Sequence, residues 1–531
     1  MSETEHVESD TPQVNVEREV KLLAPPDFRL PKFNLATSGL VGSPPRKQRL
    51  VAAYFDTSDL ALARFGVTLR HRSGDGGSPW TLKLPLSEHH NTVTRSELTF
   101  AGTNRHVPAA AADLVRAYSR SRPLVNVATL RTTRFTIDIH QPTGQRVAEL
   151  VDDTVSVYEG NLLLNTFREI EVELLISGDL ADDILSTIEQ LLVEAGAAAE
   201  TPLPKLVRAL SPRASAKPDV VVKPLGGSHP SARHLVRHSI AASLVQMIRH
   251  DAGVRLGHDP EAVHTFRVAT RKFRSHLRTL APLLDPASSR SLRDELSWLA
   301  SSLGVVRENE VLTERLRERE RETSMPKGSA ASLRRLIELL AQQRDDARLN
   351  LLADMRSPRY DRLIDNLVRA AHQPPFNTNA KPALRQSAAH AGTQFTAHAW
   401  RSLEHLLRAA GDAPSPEALH EIRIRAKRAR YAAESIESII GEPATRLSDV
   451  ASSLQAVLGE HHDSALAEQW LREVGHTRSR RDPTVEYLIA CEQHDRIGLE
   501  AQWAHVLHQA LSDKKATKWL RSNSAHVRRN P

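Results

Sequence analysis

Residues 16–22 (VEREVKL) carry Glu17, Glu19 and Lys21 on alternate positions. As a strand, this run sends all three side chains to one face, because strand side chains alternate. Two carboxylates and an ammonium on one face cannot sit against an apolar core, since unpaired buried charge is too costly. They can line a wet cavity that holds divalent cations and a polyanion. Similar rows recur over the first two hundred residues: Arg70 with Arg72, Arg95 with Glu97, and Glu169 with Glu171 and Glu173. Lys83 lies among apolar neighbours in TLKL, and Arg131 and Arg134 flank a further strand start. Glu149, Asp152 and Asp153 cluster near the end of another strand, and Lys205 sits in PLPKLVRAL. An ordinary half-buried strand would turn any single such row to solvent. Many strands with rows of mixed sign are explained together by a closed antiparallel sheet with a charged lumen, and closure also removes the sheet edges.

Strand-like alternation marks 49–57, 67–72, 80–84, 94–100, 133–139, 146–153, 155–160 and 167–175, with helical stretches at 108–120 and 181–196. A Pro/Gly/Ser-rich segment, 211–230, reads as a linker. Beyond it the strand signal gives way to helical periodicity to about residue 513, broken near Asp285-Pro286, Met325–Gly328, Ser357-Pro358, Gln373–Pro375 and Ala413–Pro416. Those pieces suit an antiparallel helical bundle. The expected organisation is therefore a tail over 1–13, a β domain over 14–210, the linker, a helical domain over 231–513 and a basic tail over 514–531. The fold class is α+β multidomain, as 531 residues are too many for one core.

Composition narrows the partners. Residues 1–210 carry 22 Lys/Arg against 27 Asp/Glu, whereas 211–531 carry 49 against 37, a net of +12 that suggests an anionic partner for the helical part. Aromatics are scarce at 4%, which argues against a stacking platform for single strands. Base readout of DNA needs side chains in a groove, and no such motif is present. Cys491 is the one cysteine, so neither a disulfide framework nor a thiolate zinc site is available. No apolar run approaches the roughly 20 residues of a membrane span, and the acidic N-terminus is no secretory signal, so a cytoplasmic location is expected. Oligomeric state stays open.

The helical part contains a repeat. PEAVHTFRVATRKFRSHL (260–277) matches PEALHEIRIRAKRARYAA (416–433) at an offset of 156, and LGVVRENEVL (303–312) matches LGEHHDSALA (458–467) at 155, which argues for a duplicated unit. In the first copy His264, Arg267, Arg271, Arg274 and Arg278 step by three and four and share a helix face, with Lys272 beside them. In the second, His420, Arg423, Lys427 and Arg430 do the same, with Arg425 and Arg428 nearby. Like charges one turn apart repel, so either acids of neighbouring helices or a polyanion must offset them.

EREVK, LRHR, TLKL, the RTTR segment, ELVDD, EIEVE and PLPKLVRAL follow one another in the order of the CYTH superfamily, the triphosphate tunnel metalloenzymes, which residues 14–210 resemble. The resemblance implies an eight-stranded antiparallel tunnel with flanking helices and metal-dependent hydrolysis of inorganic triphosphate or a related triphosphate. Lys21, Arg70, Arg72, Lys83, Arg134 and Lys205 would then grip the triphosphate, with Arg131 able to exchange roles with Arg134. Asp152, Glu171 and either Glu173 or Glu169 would hold a first Mg²⁺ or Mn²⁺. Glu17 and Glu19 would serve a second metal and the attacking water. The duplicated H-x-x-R…R-x-x-R pattern over about 230–510 resembles the CHAD domain. That implies two pseudo-symmetric four-helix bundles and a basic surface for inorganic polyphosphate, possible also on polyphosphate granules. A polyphosphate scaffold that senses without cleaving, and an adenylyl cyclase of class IV type, are the competing functions.

Overall fold

The computed structural model describes residues 19–34, 39–74, 80–89, 92–176, 179–199, 203–226, 229–322, 325–411, 414–476 and 482–522. Glu17 lies outside these residues, and the side chains of Glu19 and Arg95 are likewise not described. The chain divides into two compact units between Asp219 and Val220.

The first unit is an antiparallel sheet of ten strands: β1 (Glu19–Ala24), β2 (Val41–Gly42), β3 (Arg46–Asp56), β4 (Thr68–Ser73), β5 (Trp80–His89), β6 (Thr92–Phe100), β7 (Val125–His140), β8 (Arg146–Glu159), β9 (Leu162–Leu174) and β10 (Ala198–Ala199). Eight of them have six residues or more, as expected; β2 and β10 are two-residue additions. The order is β10-β1-β9-β8-β7-β3-β4-β5-β6, with β2 on β7. The segments 146–153 and 155–160 fuse into one strand, β8, which pairs with β9 in a long hairpin.

One apolar core of this unit lies outside the curl of the sheet. Leu22, Leu150, Ile170 and Val172 point away from the charged rows and pack under helix α1 (Asp179–Glu194) through Ile184, Ile188 and Leu192. On the inner face, Ala52, Leu130, Val155 and Val157, which share strand faces with Tyr54, Arg134 and Asp153, pack against Leu206, Val207 and Leu210, the first two of these on the short helix α2 (Lys205–Ala209). Burying these side chains gives roughly 1.5–3 kcal/mol each before entropy. The outer core under α1 leaves the opposite face of β1, β8 and β9 for charge.

The second unit is helical. Its first half runs α3 (Ala232–Leu256), α4 (Pro260–Thr279), α5 (Pro286–Arg321), α6 (Ala330–Arg356) and α7 (Pro358–His372). Its second half runs α8 (Ala388–Ala410), α9 (Pro416–Glu434), α10 (Glu442–His476) and α11 (Pro483–Ser512). Helices α3, α4 and α5 begin 156 residues before α8, α9 and α10, so the sequence repeat is a structural repeat. Ser231 bridges Ser387, again 156 residues on, joining equivalent points of the two copies. Three of the anticipated breaks are capped starts. The side chains of Asp285, Ser357 and Ser415 accept backbone N–H bonds one turn ahead, each followed by proline at the first helical position. Leu312, Leu316, Leu333 and Leu336 share a core with Leu471, Val474, Val485 and Leu488, which ties the copies together.

Candidate functional site

Every long strand of the first unit contributes to one cavity of about 280 Å³. Lys21 comes from β1, Tyr54 from β3, Thr68, Arg70 and Arg72 from β4, Lys83 from β5 and Glu97 from β6. Arg134 comes from β7, Glu149 from β8, Glu171 and Glu173 from β9, and Lys205 from the start of α2. Eight strands can share one cavity only if the sheet curls round it. Six cations face four carboxylates on this lining. The six are the positions at which the resemblance puts the triphosphate grip.

Register explains the arrangement. Lys21 pairs with Glu171 and Glu171 with Val151, while Glu19 pairs with Glu173 and Glu173 with Glu149. Glu19, Glu173 and Glu149 therefore occupy one row across β1, β9 and β8, with Asp138 next on β7. One step further in, Glu171 bonds Lys21 through Oε1 and Lys205 through Oε2, the latter at 2.7 Å. Lys205 also meets Asp153 at 2.9 Å and Glu169 at 3.0 Å. Arg134 forks onto Asp153 with two bonds, at 2.8 and 2.7 Å. Lys83 pairs with Glu97 at 2.6 Å.

These contacts set the ionisation. Burial opposes the charged form of Glu171, yet Lys205, Lys21 and Arg134 outweigh it and hold its carboxyl well below the ordinary range. Burial wins at Glu169, with repulsion from Glu171, and raises its carboxyl despite Lys205. Burial alone would lower the Lys205 ammonium, but Glu171, Asp153 and Glu169 raise it. Arg70, on the cavity lining, buries its Nε without a hydrogen-bond partner.

Three expected positions fall elsewhere. Asp152 does not line the cavity. Strand alternation sends it to the outer face, where both its oxygens hold Arg168 at 2.8 and 2.7 Å. Its neighbour Asp153 points inward instead. Arg131 is exposed and stacks on Tyr158, 4.5 Å from the ring centroid, three residues from Arg134 and so on the opposite face. Glu169 sits beyond the cavity lining, between Lys205 and Arg208. Arg168, Tyr54 and Thr68 carry no mark in the sequence, and the last two put neutral hydroxyls on the lining.

The donor set fits a hard divalent cation: carboxylate oxygens of Glu149, Glu171 and Glu173, with Glu19 in their row, and no sulfur or imidazole among the described residues of the lining. Among the described residues, no three acidic or imidazole side chains converge as ligands around a point.

In the helical unit the stripes of α4 and α9 meet. Arg267 is influenced by Arg271 and Arg423 across the repeat, and by Glu308 and Asp463, which are equivalent acids on α5 and α10. Burial first, then Arg423, Arg271 and Arg267, lowers the Lys427 ammonium to about 7. Burial together with Arg423, His420 and Lys427 lowers His462 to about 4. His420 and His462 lie 6.0 Å apart between ring centroids. Burial and Arg307, Arg271 and Arg267 depress His264 against the pull of Glu261. Arg271, Arg423 and Arg428 each bury Nε without a hydrogen-bond partner. Arg274 and Arg428 gather with Arg278 and Arg293 further along. Lys272 and Arg430 are drawn out of this field by Glu434, at 2.6 and 2.7 Å. His462 and Arg293 come from the long helices α10 and α5, outside the stripes read in the sequence.

Family models match the chain twice: the CYTH domain over residues 15–199 and the CHAD domain over 238–472. Uncharacterized proteins of two strains of Mycobacterium tuberculosis are each 31% identical over 439 residues, covering 80% of this chain and 82% of theirs. The chain belongs to the family of two-domain proteins in which a CYTH domain is followed by a CHAD domain. CYTH domains as a class take triphosphate substrates and depend on divalent metal. Similar solved structures include the CHAD domain of the plant Ricinus communis, 25% identical, covering 54% of this chain and 95% of that one with a TM-score of 0.45. Another is an adenylyl cyclase-like protein of Hippeastrum described as having a dominant triphosphatase activity, 16% identical, covering 37% of this chain and 98% of that one with a TM-score of 0.22. Among the described residues, no helix is long and apolar enough to cross a membrane.

Proposed function

We propose that the CYTH unit hydrolyses inorganic triphosphate, or a closely related triphosphate, with Mg²⁺ or Mn²⁺, and that the CHAD unit binds inorganic polyphosphate. The observation that carries the first part is the set of six cations and four carboxylates round one cavity. Arg70, Arg72, Lys83 and Arg134 present forks and point charges to phosphate oxygens. Lys21 and Lys205 reach the same space from its other side. Glu171, Glu173 and Glu149 are the groups that would hold the divalent cation, which supplies charge neutralisation and a more acidic water. Phosphoryl transfer asks the protein mainly for positioning and electrostatic stabilisation, and this lining offers both.

The test is phosphate release by the full-length chain with Mg²⁺ or Mn²⁺ from inorganic triphosphate, ATP and thiamine triphosphate. Release should be fastest from inorganic triphosphate and be lost in Glu171→Gln. Cyclic AMP formed from ATP would favour the cyclase instead, and no turnover on any of the three would overturn the enzymatic reading.

Support for polyphosphate binding comes from the convergence of two basic stripes with buried, unsatisfied guanidinium nitrogens. A linear polyanion presents charge at every phosphate and matches a long track. Its affinity should fall steeply with salt, as counterion release requires. Reversing Arg267, Arg271 and Arg274 to Glu should abolish it, whereas normal binding by that variant would refute the assignment.

A further inference from the structure

We infer that the tunnel takes up its divalent cation together with triphosphate and not before it, because two lysines of the grip occupy the carboxylate that the cation needs. This rests on the triphosphatase reading above and specifies how that site assembles.

Both oxygens of Glu171 are engaged by cationic side chains. Lys21 holds Oε1, Lys205 holds Oε2 at 2.7 Å, and Arg134 stands 3.6 Å from the same oxygen. Around this point lie Lys21, Lys205, Arg134 and Arg208 against Glu171, Asp153 and Glu169. That is four formal positive charges and three negative. A divalent cation entering alone would raise the excess from one to three in a largely buried cluster, and it would have to displace an ammonium to reach either oxygen. Buried charge without a counter-charge is costly. Convergence of acidic ligands is also missing among the described residues, although Glu149, Glu171 and Glu173 share the cavity.

Triphosphate changes the balance. Its oxygens compete with Glu171 for Lys21 and Lys205, whose four-carbon stems let the ammonium swing without moving the backbone. Once those ammoniums turn to phosphate, both oxygens of Glu171 are available as hard ligands, and the anion offsets the added positive charge. Lys21 and Lys205 are then positioning residues for the cation as well as grips for the substrate. By linkage, whatever affinity triphosphate lends the cation, the cation lends triphosphate.

The test is Mn²⁺ binding by the full-length chain, read from the electron paramagnetic resonance signal of free Mn²⁺. It is run with and without a hydrolysis-resistant imidotriphosphate, and Glu171→Gln reports whatever binds elsewhere on the chain or on the analogue. The expected result is no Glu171-dependent Mn²⁺ binding by the chain alone, and Glu171-dependent binding strengthened roughly tenfold or more once the analogue is present, within the usual range of coupling. Lys21→Met with Lys205→Met should bind Mn²⁺ without the analogue. Lys21→Gln, which keeps a hydrogen-bond donor beside Glu171, is the milder variant and should shift the same way. Glu171-dependent Mn²⁺ binding by the wild-type chain alone, equal to that with the analogue, overturns the inference. So does a folded Lys21→Gln variant with no gain. A chain that binds Mn²⁺ as expected but releases no phosphate would defeat the enzymatic reading and leave this coupling standing.

Discussion

At the scale of the residue, one position along a strand separates a lumen group from an outer brace. Asp152 and Asp153 are adjacent, yet Asp153 holds Arg134 and Lys205 inside while Asp152 holds Arg168 outside. Arg134→Met should therefore lower kcat/KM for triphosphate by on the order of 10², the scale of losing one preorganised electrostatic group. Arg131→Met should leave it unchanged, since Arg131 packs on Tyr158 away from the cavity. Steady-state kinetics on the two variants make the comparison. Asp152→Ala should act on stability instead. It strips a half-buried guanidinium of its carboxylate and should cost about 1–3 kcal/mol in denaturant unfolding, with KM unaltered. These parities were not legible in the sequence. Both aspartates fit the motif, and only the register of β8 against β7 and β9 decides which one turns inward.

At the scale of the element, much was legible because local chemistry and packing agree. Alternating charge in EREVK, LRHR and TLKL anticipated strands with one charged face, and the apolar alternates Leu22, Leu69 and Leu82 are all buried on the other. Proline after an Asp or Ser cap marked the starts of α5, α7 and α9. The basic stripes were visible as three-and-four spacing, but their meeting was not. It depends on how α4 and α9 approach across the repeat, and on Glu434 removing Lys272 and Arg430 from the field. The convergence has a measurable consequence at Lys427. Burial and its basic neighbours lower this ammonium to about 7, against an ordinary value near 10.4, so the free protein holds it largely neutral above pH 7. A polyanion favours the charged form, so binding at pH 8 should take up protons. Calorimetry in buffers of different ionisation enthalpy should show this uptake, and Lys427→Met should remove most of it. The same depression penalises the folded state while Lys427 is charged. Its contribution to stability therefore improves as pH rises from about 7 towards 10.

At the scale of the whole molecule, two units gather positive charge by different means. The CYTH unit curls a sheet so that each long strand gives one to three charged or hydroxyl groups to a cavity of about 280 Å³. The CHAD unit duplicates a bundle and lays two basic helices together, which suits an anion of indefinite length. In the first unit one apolar core sits outside the curl, under α1, while a second, under α2, shares the inner face with the charged cavity. The charged cavity inside the curl is the central claim. It is tested most directly by determining the structure of the full-length chain with a hydrolysis-resistant triphosphate analogue. The account predicts phosphate density inside the sheet, in contact with Arg70, Arg72, Lys83 and Arg134, with Lys21 and Lys205 turned from Glu171 to the analogue. Density confined to the helical unit, with the ion pairs of Glu171 intact, would contradict it.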